Sequence, residues 1–390
     1  MKRFYFGMAA AAALLLVACA ETPRLTVPAG TTCDTGLFQV DDGFVGARRG
    51  ACDVIADNRV RLHIVREDDK VRNPSPWYAF RLMGAESETV SVTLDYGDWK
   101  HRYVPKISRD GRTWSVAPEA MFTQPSENTL ELSLKLSSEP VWIAGNPMLL
   151  PADYEVWARS LAHETDASLS IAGRSIKGLP IYRLESGADN EEVIFLTGHQ
   201  HPPEIPGAIA MLEFLETLYA ETELAAEFRD RFHIVSLPLL NPDGIIYGHW
   251  RHNLGGTDLN RDWGPFAEPE TRVIKQTLDE LDEQDKRVRM FMDFHATKDN
   301  RFYTQSEPTA PEGFSAEWLA RSGARISNDY VFVNDPRPTS PTANGKNYMY
   351  KRYGIPSLTY EVGDETPEES NRDATRVFAE EFMRLWLETP

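Results

Sequence analysis

Residues 193 to 221 constrain this chain more than any other stretch. Val193 to Thr197 is a continuous apolar, β-prone run bounded by polar residues, the pattern of a buried strand. From Gly207 to Glu221, apolar residues such as Ala208, Met211, Leu212, Leu215 and Leu218 recur at helical spacing. A buried strand feeding a helix through a short loop demands a layered α/β arrangement, with helices covering the sheet. That loop, Thr197-Gly-His-Gln-His-Pro-Pro-Glu204, holds an imidazole and a carboxylate three residues apart, His201 and Glu204, suited to gripping one metal ion. A catalytic zinc site takes three protein ligands and keeps one position for water, so a second histidine must come from elsewhere.

Arg289 to His295 reads as another apolar strand with His295 at its C-terminal end, where open α/β sheets place ligand-binding groups. Asp293, two residues earlier on the same side of the strand, is a candidate outer acceptor for that histidine. Between the two metal segments lie Asn241-Pro-Asp-Gly244, a turn sequence, and Arg251 to Arg261, which contains Asp258 and Asn260. Ile355 to Glu361 forms a late strand ending in a carboxylate. Phe232 to Leu240 is a further strand, and Pro269 to Leu281 and Ala374 to Leu387 carry helical apolar spacing. The alternation from about residue 152 onward predicts a mixed or largely parallel central sheet flanked by helices.

This ordered set resembles the zinc metallocarboxypeptidases, the family of the pancreatic carboxypeptidases. The compact spacing from Arg251 to Asn260-Arg261 is most similar to the cytosolic-carboxypeptidase branch, whose members carry an N-terminal β-domain. The resemblance covers roughly residues 140 to 390, and residues 35 to 140 more faintly. It implies that His201, Glu204 and His295 hold one Zn²⁺ per chain, with a water whose pKa is lowered toward neutrality. It implies Glu361 as general base, Arg251 as the donor that stabilises the oxyanion, and Asp258 as an outer partner of a zinc-bound histidine. Asn260 and Arg261 match the pair that holds the terminal carboxylate of a peptide substrate, a geometry suited to a guanidinium fork. The implied reaction removes one C-terminal amino acid at a time.

The sequence also departs from the family pattern. Pro203 stands where pancreatic members carry a substrate-binding arginine, and Arg337 to Asn344, where their mobile tyrosine would fall, contains none. Tyr348 and Tyr350 lie too close to Glu361 for a clean match. The residue that reads the departing side chain in the family corresponds to Lys346. A lysine there would favour C-terminal Glu or Asp, against the plainer reading of a solvated loop lysine. His199 competes with His201 as a ligand, whereas His233 and His252 read as ordinary histidines. Two other functions stay open: a zinc amidase or deacylase of small acyl-amino acids on the same fold, and a non-catalytic carboxylate-binding module.

Residues 35 to 145 carry short alternating strands, Arg59 to Val65, Trp77 to Leu82, Thr89 to Leu94 and Thr129 to Leu136, which predict an antiparallel β-sandwich ahead of a catalytic domain at 146–390. Met1-Lys-Arg3, the apolar run Met8 to Val17 and the box Leu16-Val-Ala-Cys19 read as a bacterial lipoprotein signal over 1–18, with Cys19 lipidated and 19–34 a linker. This would place the protein on the periplasmic face of the outer membrane, tethered by lipid alone. In an oxidising compartment the remaining pair, Cys33 and Cys52, suggests a disulfide worth about 3 kcal/mol. With 41 basic and 59 acidic residues the net charge is −18, which argues against a nucleic-acid or anionic-membrane-surface partner.

Overall fold

The computed structural model describes residues 30–84 and 88–390. The expected signal 1–18 and Cys19 lie outside the described residues. The N-terminal domain is built from strands β1 (Thr32–Asp34), β2 (Phe38–Asp41), β3 (Cys52–Ala56), β4 (Arg59–His63), β5 (Ala79–Gly84) and β6 (Thr89–Asp95). It continues with β7 (Lys106–Ser108), β8 (Trp114–Val116), β9 (Phe122–Ser126), β10 (Thr129–Lys135) and β11 (Val141–Ala144). They form two sheets, ordered β1-β2-β5-β11-β7-β8 and β3-β4-β6-β10-β9.

Alternation explains the packing. In β6 and β10 every second residue is buried, and Val90, Val92 and Leu94 sit opposite Leu134, Leu132 and Leu130. This layer meets Val40, Phe80, Leu82 and Ile143 of the other sheet in one core. Two details add to the expectation. Strand β1, ahead of residue 35, pairs with β2 and joins the sheet. And β4 pairs with β6 in parallel, because the chain between them crosses through β5 in the opposite sheet. Cys33 and Cys52 form a disulfide that ties β1 of one sheet to β3 of the other.

The second domain runs α1 (Pro151–Glu164), β12 (Ser168–Arg174), β13 (Pro180–Ser186), β14 (Glu192–Gly198), α2 (Ile205–Leu218), α3 (Glu223–Arg231), β15 (Phe232–Leu237) and α4 (Pro242–Ile246). Then follow α5 (Pro269–Glu283), β16 (Arg287–Thr297), β17 (Arg301–Gln305), α6 (Phe314–Gly323), β18 (Val333–Arg337), α7 (Gly345–Tyr353), β19 (Ser357–Gly363) and α8 (Glu368–Glu388). The sheet order is β12-β13-β15-β14-β16-β19-β17-β18. Its centre, β15, β14, β16 and β19, is parallel, and antiparallel pairs β13·β15 and β17·β19 flank it.

The predicted runs are all present, with ends moved by local chemistry. The strand expected to reach Leu240 stops at Leu237, because Pro238 has no N–H for the ladder. Helix α8 starts before Ala374, with Glu368 and Glu369 in a first turn that favours negative charge. The sheet is buried on both faces, as its continuous apolar strands require. Ile194 and Leu196 of β14 pack with α2, α6 and α8, while Val193 and Phe195 pack with α5 and Met349 of α7. No helix among the described residues is long and apolar enough to cross a membrane.

Candidate active site

The four central strands run in the same direction and deliver their C-terminal ends to one edge of the sheet. β14 runs directly into the loop that carries His201, and Glu204 caps the start of α2. His295 lies near the end of β16, and Glu361 is its register partner on β19. Helix α2 comes very close to β16 here. A Cβ on Gly207 would stand 2.1 Å from the His295 carbonyl oxygen, so only glycine allows this approach.

His201, Glu204 and His295 are buried, and one ligand atom from each lies within 4.8 Å of the others. His201 Nδ1 is 3.0 Å from Glu204 Oε1, and His295 Nδ1 is 2.7 Å from Glu204 Oε2. The opposite ring nitrogens meet carboxylates that can only accept: His201 Nε2 lies 3.0 Å from Asp258 Oδ1 and His295 Nε2 2.8 Å from Asp293 Oδ2. With a cation held between the Nδ1 atoms and Glu204, each Nε2 would keep its proton for its carboxylate partner and each Nδ1 would turn a lone pair to the ion. Two imidazole nitrogens and a carboxylate, each imidazole backed by an acid, make a donor set that fits zinc.

The electrostatics favour a cation at this point. Burial pushes the Glu204 carboxyl up, but His201 and His295 overcome it and hold the group well below the usual carboxylate range. Burial likewise pushes His295 down, and Asp293 and Glu204 more than reverse it. His199, the competing ligand, is occupied elsewhere. Its Nε2 donates to the Pro202 carbonyl at 3.0 Å and its Nδ1 accepts from the Tyr154 hydroxyl at 2.7 Å. Burial holds it neutral, pushed down to about 4. His233 contacts Glu185 and His252 contacts Asp68, both away from the cluster.

Asp258 joins two parts of the site. One oxygen accepts from His201, and the other accepts from Arg251 Nε at 2.6 Å. Burial pushes this carboxyl up, yet His201, Arg251 and Arg261 hold it far below the carboxylate range. Asn260 is turned inward, with its Oδ1 accepting from the Gly345 amide at 3.1 Å and its Nδ2 3.2 Å from His295 Nε2. Arg261 is exposed, with one guanidinium nitrogen donating to its neighbour's carbonyl. Glu361 keeps part of its surface open to the cleft. Surrounding protein nevertheless desolvates its carboxyl and pushes it up to about 7, against the pull of His295 and with the push of Glu204.

Lys346 is not a solvated loop lysine. It sits in the first turn of α7, only 5% exposed, and donates to the Thr304 and Arg337 carbonyls and to Gln305 Oε1. Burial pushes its ammonium down to about 8. The cleft of about 440 Å³ contains the cations Arg102, Arg251, Arg261, Arg337 and Lys346 against the acids Glu204 and Glu361. Arg102 is paired with Asp364, Arg251 with Asp258 and Arg337 with Asp335. Among the described residues, Lys346 and Arg261 have no carboxylate partner. That two cations of the cleft are left without a carboxylate in so acidic a chain is a property of placement, invisible in composition.

Several lining residues escaped the sequence reading. Asn73, Ser75 and Arg102 come from the β-domain, and Tyr303 comes from β17. Tyr303 places a phenol in the cleft, flanked by the guanidinium groups of Arg301 and Arg337. Tyr348 instead packs on Trp263 and Phe266, and the Tyr350 hydroxyl bonds the Pro308 carbonyl. No local pattern around residue 303 distinguishes this tyrosine from a strand residue.

Comparison with known proteins covers both domains. The zinc carboxypeptidase family model matches residues 154–376, and the cytosolic carboxypeptidase N-terminal domain model matches residues 45–145. An uncharacterized protein of Zymomonas mobilis is 27% identical over 327 residues, 78% of this chain and 82% of that protein. Cytosolic carboxypeptidase 6 of Caenorhabditis elegans is 32% identical over 241 residues, 59% of this chain and 51% of that protein. The chain thus spans about half the length of that carboxypeptidase relative. A crystal structure of a metallo-carboxypeptidase from Burkholderia cenocepacia shares the fold, with a TM-score of 0.76 at 18% identity over 91% of this chain and 100% of that one. With a family model matched across more than half its length, this chain belongs to the zinc carboxypeptidases.

Proposed function

We propose that this protein is a metallocarboxypeptidase that releases single residues from the free C-terminus of peptides, with a preference for acidic ones. One arrangement carries the reading: the buried cluster of His201, Glu204 and His295 faces Glu361 in a cleft whose unpaired cations are Arg261 and Lys346. Those two charges suit the two carboxylates of a C-terminal Glu or Asp, one on the main chain and one on the side chain.

His201, Glu204 and His295 would hold one zinc ion per chain, which would supply a Lewis acid for the scissile carbonyl and for the attacking water. Glu361 takes the proton of the attacking water and passes it to the departing amine. Arg251, steadied by Asp258, donates to the oxygen on which charge develops, a contribution typically about 3–4 kcal/mol for one such donor. Arg261 holds the terminal carboxylate beside Asn260, and Lys346 receives the acidic side chain. Asp258 and Asp293 keep the imidazoles in the ligating tautomer.

A screen of peptides differing only in the last residue, run on zinc-loaded and chelated protein beside amidated peptides and N-acyl amino acids, tests this. Zinc-dependent release of C-terminal Glu or Asp from free peptides is expected. Turnover of N-acyl amino acids alone would favour the amidase reading, and binding without turnover the non-catalytic one. For location, we propose an exported lipoprotein acylated at Cys19 and tethered at the periplasmic face of the outer membrane, supported by the Leu16-Val-Ala-Cys19 box. Mass spectrometry of the mature N-terminus tests it, and an unmodified residue other than Cys19 at that end rejects it.

A further inference from the structure

Three consecutive main-chain amides of the catalytic domain converge on one carboxylate of the β-domain. The Trp250 amide donates to Glu67 Oε2 at 2.8 Å, and the Arg251 and His252 amides donate to Glu67 Oε1 at 2.9 and 2.7 Å. Residues 250–252 belong to no helix or strand, so no ladder holds their backbone in place. The carboxylate takes over that duty, and charge-assisted bonds of this kind are roughly twice as strong as neutral ones.

The side chains on either side are also held by the β-domain. The Trp250 indole is fully buried in the β-domain core, and its Nε1 donates to the Trp77 carbonyl at 3.0 Å. His252 Nδ1 lies 2.8 Å from Asp68 Oδ2. Between these anchors, Arg251 points into the cleft, with Nε on Asp258 and Nη1 3.4 Å from the Asn73 carbonyl. Asn241 and His249 hold the His252 carbonyl from within the catalytic domain, the β-domain holds the three amides, and Asp258 sets where the Arg251 guanidinium turns.

We infer that Glu67 is a positioning residue for Arg251, so that the β-domain takes part in transition-state stabilisation as well as forming a wall of the cleft. The inference rests on the reading of Arg251 as the oxyanion donor. Glu67 touches neither substrate nor reacting atoms. It acts by holding the backbone from which Arg251 extends, where a displacement of about 1 Å can cost on the order of 10²-fold in rate. The effect belongs in kcat rather than KM, because the contact matters most as charge develops on the oxyanion.

The test is a double-mutant cycle on the zinc-loaded full chain. Glu67→Gln preserves shape but loses the charge and turns an amide donor toward main-chain N–H groups. It is expected to lower kcat about 10-fold or more, with zinc content unchanged, because no metal ligand is touched. In an Arg251→Ala background the same change is expected to alter kcat by less than about twofold, the signature of action through one shared group. Should Glu67→Gln fail to fold, Glu67→Asp, which keeps the charge one methylene short, goes through the same cycle under the same criteria. Wild-type kcat in the Glu67 variant, or losses that simply multiply with those of Arg251→Ala, overturns the positioning inference alone. Wild-type kcat in Arg251→Ala by itself overturns the oxyanion role and this inference together.

Discussion

His295 and Glu361 are direct register partners on the adjacent parallel strands β16 and β19. Partners in a ladder present their side chains on the same face, so the proposed ligand and the proposed base are brought together by sheet pairing rather than by a flexible loop. Asp293 and Thr359 are paired in the same way two residues earlier, which puts the histidine's outer acceptor on that face too.

Glu361→Gln should retain zinc and lose at least about 10²-fold in kcat, measured beside metal content. The base must be ionised, and its carboxyl is pushed up to about 7, so kcat/KM of the wild type should fall as pH drops through an acid limb. Bound zinc acts in the opposite sense and moves that limb to lower pH. In the metal-free protein the raised carboxyl binds its proton more tightly folded than unfolded, so its stabilising contribution is lost as pH rises from 4.5 through about 7. Glu361→Gln should flatten that slope in thermal melts.

Asp258→Ala removes the acceptor of both His201 and Arg251. Zinc affinity should weaken about 10- to 100-fold, as loss of a ligand's outer partner typically does. Competition with a chelator of known affinity measures it, and unchanged zinc binding would detach Asp258 from the metal site.

Arg261→Ala should raise KM for peptides with a free C-terminal carboxylate far more than for amidated ones. A charged hydrogen bond is worth about 1.5–3 kcal/mol, roughly 10- to 150-fold. Equal effects on the two substrates would remove Arg261 from carboxylate binding.

Lys346→Met should reduce kcat/KM for Glu-terminated peptides about 10-fold or more while sparing apolar ones. Because burial pushes the ammonium down to about 8, the wild-type preference for acidic residues should fade as pH rises through that value. A uniform loss across substrates would reject the specificity role.

Gly207→Ala forces a methyl against the His295 carbonyl, where the ideal position leaves 2.1 Å. Overpacking of this kind costs about 1–3 kcal/mol, and here it displaces a metal ligand. Both the melting temperature and zinc affinity should fall, whereas a wild-type zinc affinity would show that α2 can shift without moving His295.

Much was legible along the chain because its signals are local. Val193 to Thr197 and Arg289 to His295 announce buried strands through unbroken apolar runs, and each candidate metal ligand stands at the end of such a run or in the loop that follows it. The helical spacing after Gly207 gave the layer that covers them, and the order of His201, Glu204, Arg251, Asn260, Arg261, His295 and Glu361 carried the family resemblance. These features depend on neighbours a few residues away, which is why they can be read in one dimension.

The remaining features needed the folded chain. Tyr303 and Arg102 enter the cleft, and Lys346 is buried, through packing between segments far apart in sequence. The parallel pairing of β4 and β6 follows from a crossover that no strand pattern encodes. Glu67 meets the Arg251 amide across 184 positions of sequence. By itself the order of residues determined the elements and picked out the candidate metal-binding groups, since hydrophobic periodicity and donor chemistry are local properties. Which carboxylate steadies which histidine or arginine, and which cations are left without a partner, was decided by tertiary structure, because electrostatics and desolvation depend on distances that only the packed chain sets.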